Sequence, residues 1–216
     1  MAAGGKNSQA AEHKLAKLYR SIVLSIALTY LSGAIFYADP FNFWELALSE
    51  LGTTTTLTGT PNLRAALFVS LGMLISGGFL FEAGRFTMSH PTFMHYKVKC
   101  WFLYAAGLGA LIAIFPNNIV HTIHSLGSAM MIGSVFILEI ITLWERKPIM
   151  DSLKFNAIII LLSVSVLSYA VAFFSNAYYK QVAQKFCIIN LLLVLVEGSH
   201  YLDTLSEPFL PQNQVT

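Results

Sequence analysis

His121 and His124 stand three residues apart where a long apolar run begins, and their types and spacing lend themselves to chemistry. On a helix that spacing turns both imidazoles into one quadrant. Such a pair binds Zn²⁺ when a third ligand arrives, and Glu45 or Glu50 is a candidate to supply it. It also suits proton-linked pairing with a carboxylate near neutral pH. Its plainest use is polar, holding the turn at 116–120 or a bound headgroup. No His-Glu-x-x-His metalloprotease pattern is present, so neither a metal nor a cofactor is expected.

The other chemistry-bearing residues fall into two groups. Glu45, Ser49, Glu50, Arg64, Asn117 and Asn118 belong with His121 and His124 at one side of the apolar runs. Glu45 and Glu50 are five apart, which separates them by roughly 140° on a helix. One site therefore takes one of them. Glu50, at the edge of the polar stripe, is the expected site carboxylate, and Glu45 is left to water. Arg64 is placed at the rim, where a long side chain can also snorkel to water. Glu82, Arg85, Glu139, Glu197, His200 and Asp203 collect at the opposite side and read as an ionic network at the inner rim.

Hydrophobic residues make up 56% of the chain and charged ones 11%, with mean hydropathy +0.64. A soluble domain carries roughly 25% charged residues. Apolar runs near 20 residues span a ~30 Å hydrocarbon core as helices. The runs fall at about 19–37, 62–81, 100–115, 120–144, 155–174 and 183–201. The expected fold is all-α: a polytopic membrane bundle of six transmembrane helices plus one short interfacial amphipathic helix. The first run reads as a retained helix and not a cleaved signal. A surface helix is expected at 10–20.

Asp39-Pro40 has the form of an N-cap followed by a first helical residue, and Gly52 that of a stop. Trp44, Ala47, Leu48 and Leu51 recur at helical spacing. These signals predict a helix over 40–51 lying in the interface, anchored by Phe41, Phe43 and Trp44. Residues 53–60 are a polar loop. Residues 1–18 form a cytoplasmic segment, 19–203 the six-helix transmembrane domain, and 204–216 a cytoplasmic tail expected to be disordered.

Ten of the 13 Lys and Arg fall on the side of the termini, so both termini are expected in the cytoplasm of a cell (inner) membrane protein. The charge is small and dispersed, which excludes nucleic acid as a partner. Membrane lipids are the expected partners, with a second copy of the chain as a further candidate. Ser125, Ala129 and Gly133 repeat at four, as do Ala106 with Ala110 and Gly72 with Ser76. Such stripes pack helix against helix in lipid. Cys100 and Cys187 lie on opposite sides and cannot bridge.

His121, His124 and His200 with Ser49 and Asp203 are the ingredients of the alkaline-ceramidase and progestin-receptor type of membrane zinc hydrolase. Here His200 stands at the far end of its run, roughly 25 Å from His121. The order of the pieces is closer to another group. Ser49-Glu50-Leu51-Gly52 is followed by Pro61-Asn62, Phe115-Pro116 and His124-Ser-Leu-Gly-Ser-Ala129. Over residues 45–135 this resembles a mostly uncharacterised prokaryotic six-span family related to the DRAM, Sfk and post-GPI-attachment-to-proteins membrane proteins. That family carries Ser-Asp-x-Gly where this chain has Glu50. The resemblance implies lipid handling or membrane homeostasis, and carries over Ser49, Glu50, Gly52 and His124. The residues point to an outer-facing pocket for a lipid headgroup or small polar ligand. The rivals are a membrane-embedded, possibly metal-dependent hydrolase using the His/Glu cluster, and a small transporter.

Overall fold

Every long apolar run is helical in the computed structural model, which describes residues 2–206 and the side chains of 9–205. Six helices follow one another: α1 (Ala2–Ile35), α2 (Leu63–Met88), α3 (Tyr96–Ile112), α4 (His121–Arg146), α5 (Ser152–Phe174) and α6 (Lys180–Ser206). Among the described residues there is no β-strand, only an isolated bridge between Thr55 and Pro61. Five of the six are long and apolar enough to cross a membrane; α3, with 17 residues, is the short one. Leucine, isoleucine and valine stud the outer surface, as at Leu71, Leu108, Leu161 and Val171. A water-facing protein does not expose that much contiguous apolar surface.

Consecutive helices pack side by side from α1 to α4, and α6 closes the ring against α1 and α4. The fifth helix leans on α6 and scarcely touches α4. This leaves a slot between α4 and α5 with α6 behind it. The first half of α1 and the end of α6 lie at one end of the bundle, where His13 and Arg20 of α1 hold Asp203 of α6. We call this the termini end. The loops after α1, α3 and α5 form the opposite, far end.

Small residues set the closest crossings. The ideal Cβ of Gly109 would lie 2.5 Å from the Met131 nitrogen, and that of Gly127 2.6 Å from the Ala113 nitrogen. The α3 and α4 backbones therefore touch. Gly72 makes room for the Thr29 side chain, and Ser76 bonds Ser25 at 2.9 Å across α1 and α2. Ala106 and Ala110 are fully buried. The stripe Ser125, Ala129, Gly133 differs from its expected role: no heavy atom would lie within 4 Å of a Cβ at Gly133. It faces open space.

One sequence expectation is corrected in the first half of α1. No surface helix lies apart at 10–20, because these residues continue α1 without a break and Ala11, Leu15 and Ala16 are buried in the core. The tail beyond residue 206 lies outside the described residues.

The three-turn amphipathic helix at 40–51 is absent too; only Leu48–Gly52 coils, as a 3₁₀ turn. The chain's other elements supply this segment's hydrogen bonds. Gln184 of α6 accepts from the Leu48 N–H at 2.8 Å, and the buried Lys185 ammonium donates to the Leu46 carbonyl at 2.5 Å. Asn62, also buried, accepts from the Ala38 N–H at 3.1 Å and donates to the Thr53 carbonyl at 2.9 Å. Backbone groups met by tertiary partners have no need of a helix. Asp39 is not an N-cap. It accepts a 2.6 Å bond from Thr58, and hydrogen bonds from Thr56 and Thr58 hold its carboxyl below the usual range. Gly59 turns the threonine loop at φ +88°, a conformation that favours glycine.

Candidate functional site

The pinned segment forms a roof over the slot between α4 and α5. Beneath it lies a cavity of about 420 Å³. Its lining divides by height. The roof and the helix ends contribute Glu45, Ser49, Glu50, Asn117, His121 and Lys180. Deeper in, the walls are Ala129, Ile132 and Gly133 of α4 against Val166, Ala170 and Phe173 of α5. The small-residue stripe is thus the smooth wall of a cavity. Its smallness keeps the slot open where larger side chains would close it.

Six of the eight outer residues singled out from the sequence line this one cavity: Glu45, Ser49, Glu50, Asn117, His121 and His124. Arg64 does not. It is exposed in the first turn of α2, a helix that contributes nothing to the lining. The cation at the rim is Lys180, at the start of α6. Glu45 is exposed, and Ser49 and Glu50 are half-buried; contrary to the expectation that one site takes only one carboxylate, Glu45 and Glu50 line the same cavity, because the stretch between them is not the regular helix that would turn them apart. Asn118 serves structure: it bonds Thr54 and Thr55 and so ties the α3–α4 turn to the threonine loop.

The two histidines are set differently. His121 is exposed, with Nδ1 2.7 Å from Asn117 Oδ1. His124 is 8% exposed, and its Nδ1 lies 2.9 Å from the Phe115 carbonyl oxygen. A carbonyl only accepts, so Nδ1 carries the hydrogen of this bond. Glu50 is half-buried. Burial pushes its carboxyl above the ordinary carboxylate range, while Lys180 and His121 pull the other way. A half-buried carboxylate flanked by an ammonium and an imidazole can hold a group of mixed charge.

Tyr169, Gln181, Gln184 and Lys180 also line the cavity and are not evident from sequence motifs. Gln184 donates to the Tyr169 hydroxyl at 3.2 Å and accepts from the roof, so one side chain joins α5, α6 and the roof. The available signal was the two polar pairs Lys180/Gln184 and Gln181/Lys185, each four residues apart, where an apolar run starts.

At the termini end the expected single network is several separate pairs. Arg85 grips Glu82 with two 2.8 Å bonds within α2. Glu197 accepts from Arg146 at 2.9 Å and Lys154 at 2.6 Å. Lys99 pairs with Glu145, and Arg20 with Asp203. His200 is exposed and joins none of these pairs. Glu139 is buried apart from them. Among the described residues no three His, Cys, Asp or Glu side chains converge as a metal site would require. Cys100 and Cys187 are both free and buried.

Neither a protein-family model, nor a curated protein, nor a solved structure matches this chain.

Proposed function

We propose that this protein binds a membrane lipid. The headgroup sits among Glu50, His121, His124 and Lys180, and a hydrocarbon chain lies along the slot between α4 and α5. The observation that carries this reading is the division of one cavity into a charged rim and an apolar, laterally open depth. A lipid has that division, and a small polar ligand does not. The paired opposite charges at the rim favour a zwitterionic headgroup, with Glu50 toward its ammonium and Lys180 toward its phosphate. The resemblance of Ser49–Gly52 and 124–129 to the DRAM and Sfk group supports a role in lipid handling.

All six helices cross the membrane in this reading. The 17 residues of α3 reach about 25 Å, close to the hydrocarbon thickness. Both termini face the cytoplasm, because ten of the 13 Lys and Arg fall at the termini end. The cavity then opens to the outer leaflet. An exposed cysteine introduced as Leu57→Cys reports this directly, the native thiols being buried. An impermeant reagent should label it from outside; labelling from the cytoplasmic side alone would reverse the topology.

Native mass spectrometry in mild detergent tests the binding. Wild type should retain about one zwitterionic phospholipid per protomer, and Glu50→Gln and His124→Ala should lose most of it at equal expression. Retention should also fall on acidification. Protonation of Glu50 removes the charge that holds the ammonium, and its raised pKa brings this about at a pH above the ordinary carboxylate range. The empty protein should show the opposite sign. A carboxyl whose pKa is raised by folding favours the folded state at low pH, and that contribution is lost as pH rises through the raised value. Equal lipid retention by wild type and both variants would refute the proposal.

A further inference from the structure

Glu139 lies on α4 near the termini end, 1% exposed, and neither of its carboxylate oxygens has a hydrogen-bond partner. An ionised carboxylate in such surroundings is costly unless paired. The cations around it are engaged elsewhere. Lys99 of α3 holds Glu145, and Nη2 of Arg146 holds Glu197. Yet Arg146 is itself 5% exposed, and its Nε and Nη1 also lack partners. An orphaned acid and orphaned donors thus stand on one helix. They are seven residues apart, which places them within roughly 20° of the same face.

We propose that Glu139 is a proton-binding site, and that its proton decides which carboxylate Arg146 holds. With the proton bound, Glu139 is neutral and Arg146 bridges to Glu197 of α6, stacked 4.9 Å over the Tyr201 ring. When the proton leaves to solvent, the Glu139 carboxylate draws the free edge of Arg146, directly or through one water. Glu197 gives up Arg146 but keeps Lys154, which already donates to it at 2.6 Å. No carboxylate is left unpaired in either state. That redundancy on Glu197 is what makes the exchange feasible.

The surroundings fit a site that gains and loses charge. Gly198 of α6 leaves room: a Cβ there would sit 3.9 Å from Glu139 Oε2. Tyr19 is the ionisable group facing Glu139 from α1. Lys99 faces it from α3, Glu145 and Arg146 from α4 itself, and Glu197 and Tyr201 close the α6 side. The second helix, α2, does not pack against α4. This site lies at the opposite end of α4 from the lipid cavity and does not depend on it.

Infrared difference spectroscopy of the intact protein, titrated from acid to alkaline pH, tests the first half. Wild type should show a buried carboxylic-acid carbonyl band that shifts on ¹³C-glutamate labelling and bleaches as pH rises. Glu139→Gln, which keeps the side chain's shape, should lack it. Absence of any such band in labelled wild type would overturn the proposal without recourse to a variant, as would its persistence in Glu139→Gln. The second half is read by a double-mutant cycle, Arg146→Gln with Glu197→Gln, on unfolding stability. Coupling should be present below the band's titration and fall several-fold above it. In the Glu139→Gln background it should stay high at every pH. Coupling that ignores pH in wild type would overturn the exchange.

Discussion

Gly127→Leu is expected to separate α3 from α4 and cost about 3 kcal/mol of stability. A Cβ at this position would sit 2.6 Å from the Ala113 nitrogen and 2.8 Å from the Gly109 carbonyl oxygen. Both atoms are backbone, so no rotamer change relieves the clash. The opposing Gly109 is equally confined, with 2.7 Å between its Cβ position and the Gly127 oxygen. The helices can only move apart, and the buried contacts of Leu103, Ala106 and Met131 go with them. In lipid, where water does not drive helices together, such close backbone packing is a main source of association. Thermal unfolding in detergent measures the effect. Gly78→Leu is the matched control, because nothing would lie within 4 Å of its Cβ. If Gly127→Leu unfolds no earlier than Gly78→Leu, the crossing is not what holds these helices.

Gly133→Trp should do the reverse: leave the fold intact and empty the cavity. Gly133 is six residues further along the same helix, but its Cβ would meet nothing within 4 Å. The indole would extend into the slot facing Val166 and Ala170 of α5. It occupies the volume assigned to the hydrocarbon chain, without touching the charged rim. Retained phospholipid should drop at least about tenfold, a loss of roughly 1.4 kcal/mol in binding. Unfolding temperature of the lipid-free protein should change little. A variant that keeps its lipid would place the chain outside the slot. One that unfolds would show that α4 and α5 close further than the cavity indicates. Together the two glycines separate packing from binding on a single helix.

The rest of the site shows the same division of labour between side chains that line the cavity and side chains that build it. His124 and Glu50 reach the cavity because other residues hold their backbones: Asn62 and Gln184 pin the roof, and Asn118 pins the α3–α4 turn. The roof is what brings Glu50 near Lys180 and His121.

The six helices, their order and the grouping of Glu45, Ser49, Glu50, Asn117, His121 and His124 were legible in the sequence. Apolar runs of spanning length have one hydrogen-bonded solution in lipid, and short loops force neighbours to be antiparallel. Residues near the same ends of those runs then gather whatever the helix packing. What depended on tertiary structure was decided by partners distant in sequence. The 40–51 segment has helical spacing, but Gln184 and Lys185, more than a hundred residues away, take up its backbone groups. Arg64 and Lys180 are both basic residues at the far end; only the ring order of the helices puts Lys180 at the cavity and Arg64 away from it. Gly127 and Gly133 are both small residues on α4. One meets α3 and the other an open slot, because helix rotation and the displacement of α5 from α4 are set by the whole bundle. A stripe of small residues states that something comes close, and the fold decides whether that is a helix or a ligand.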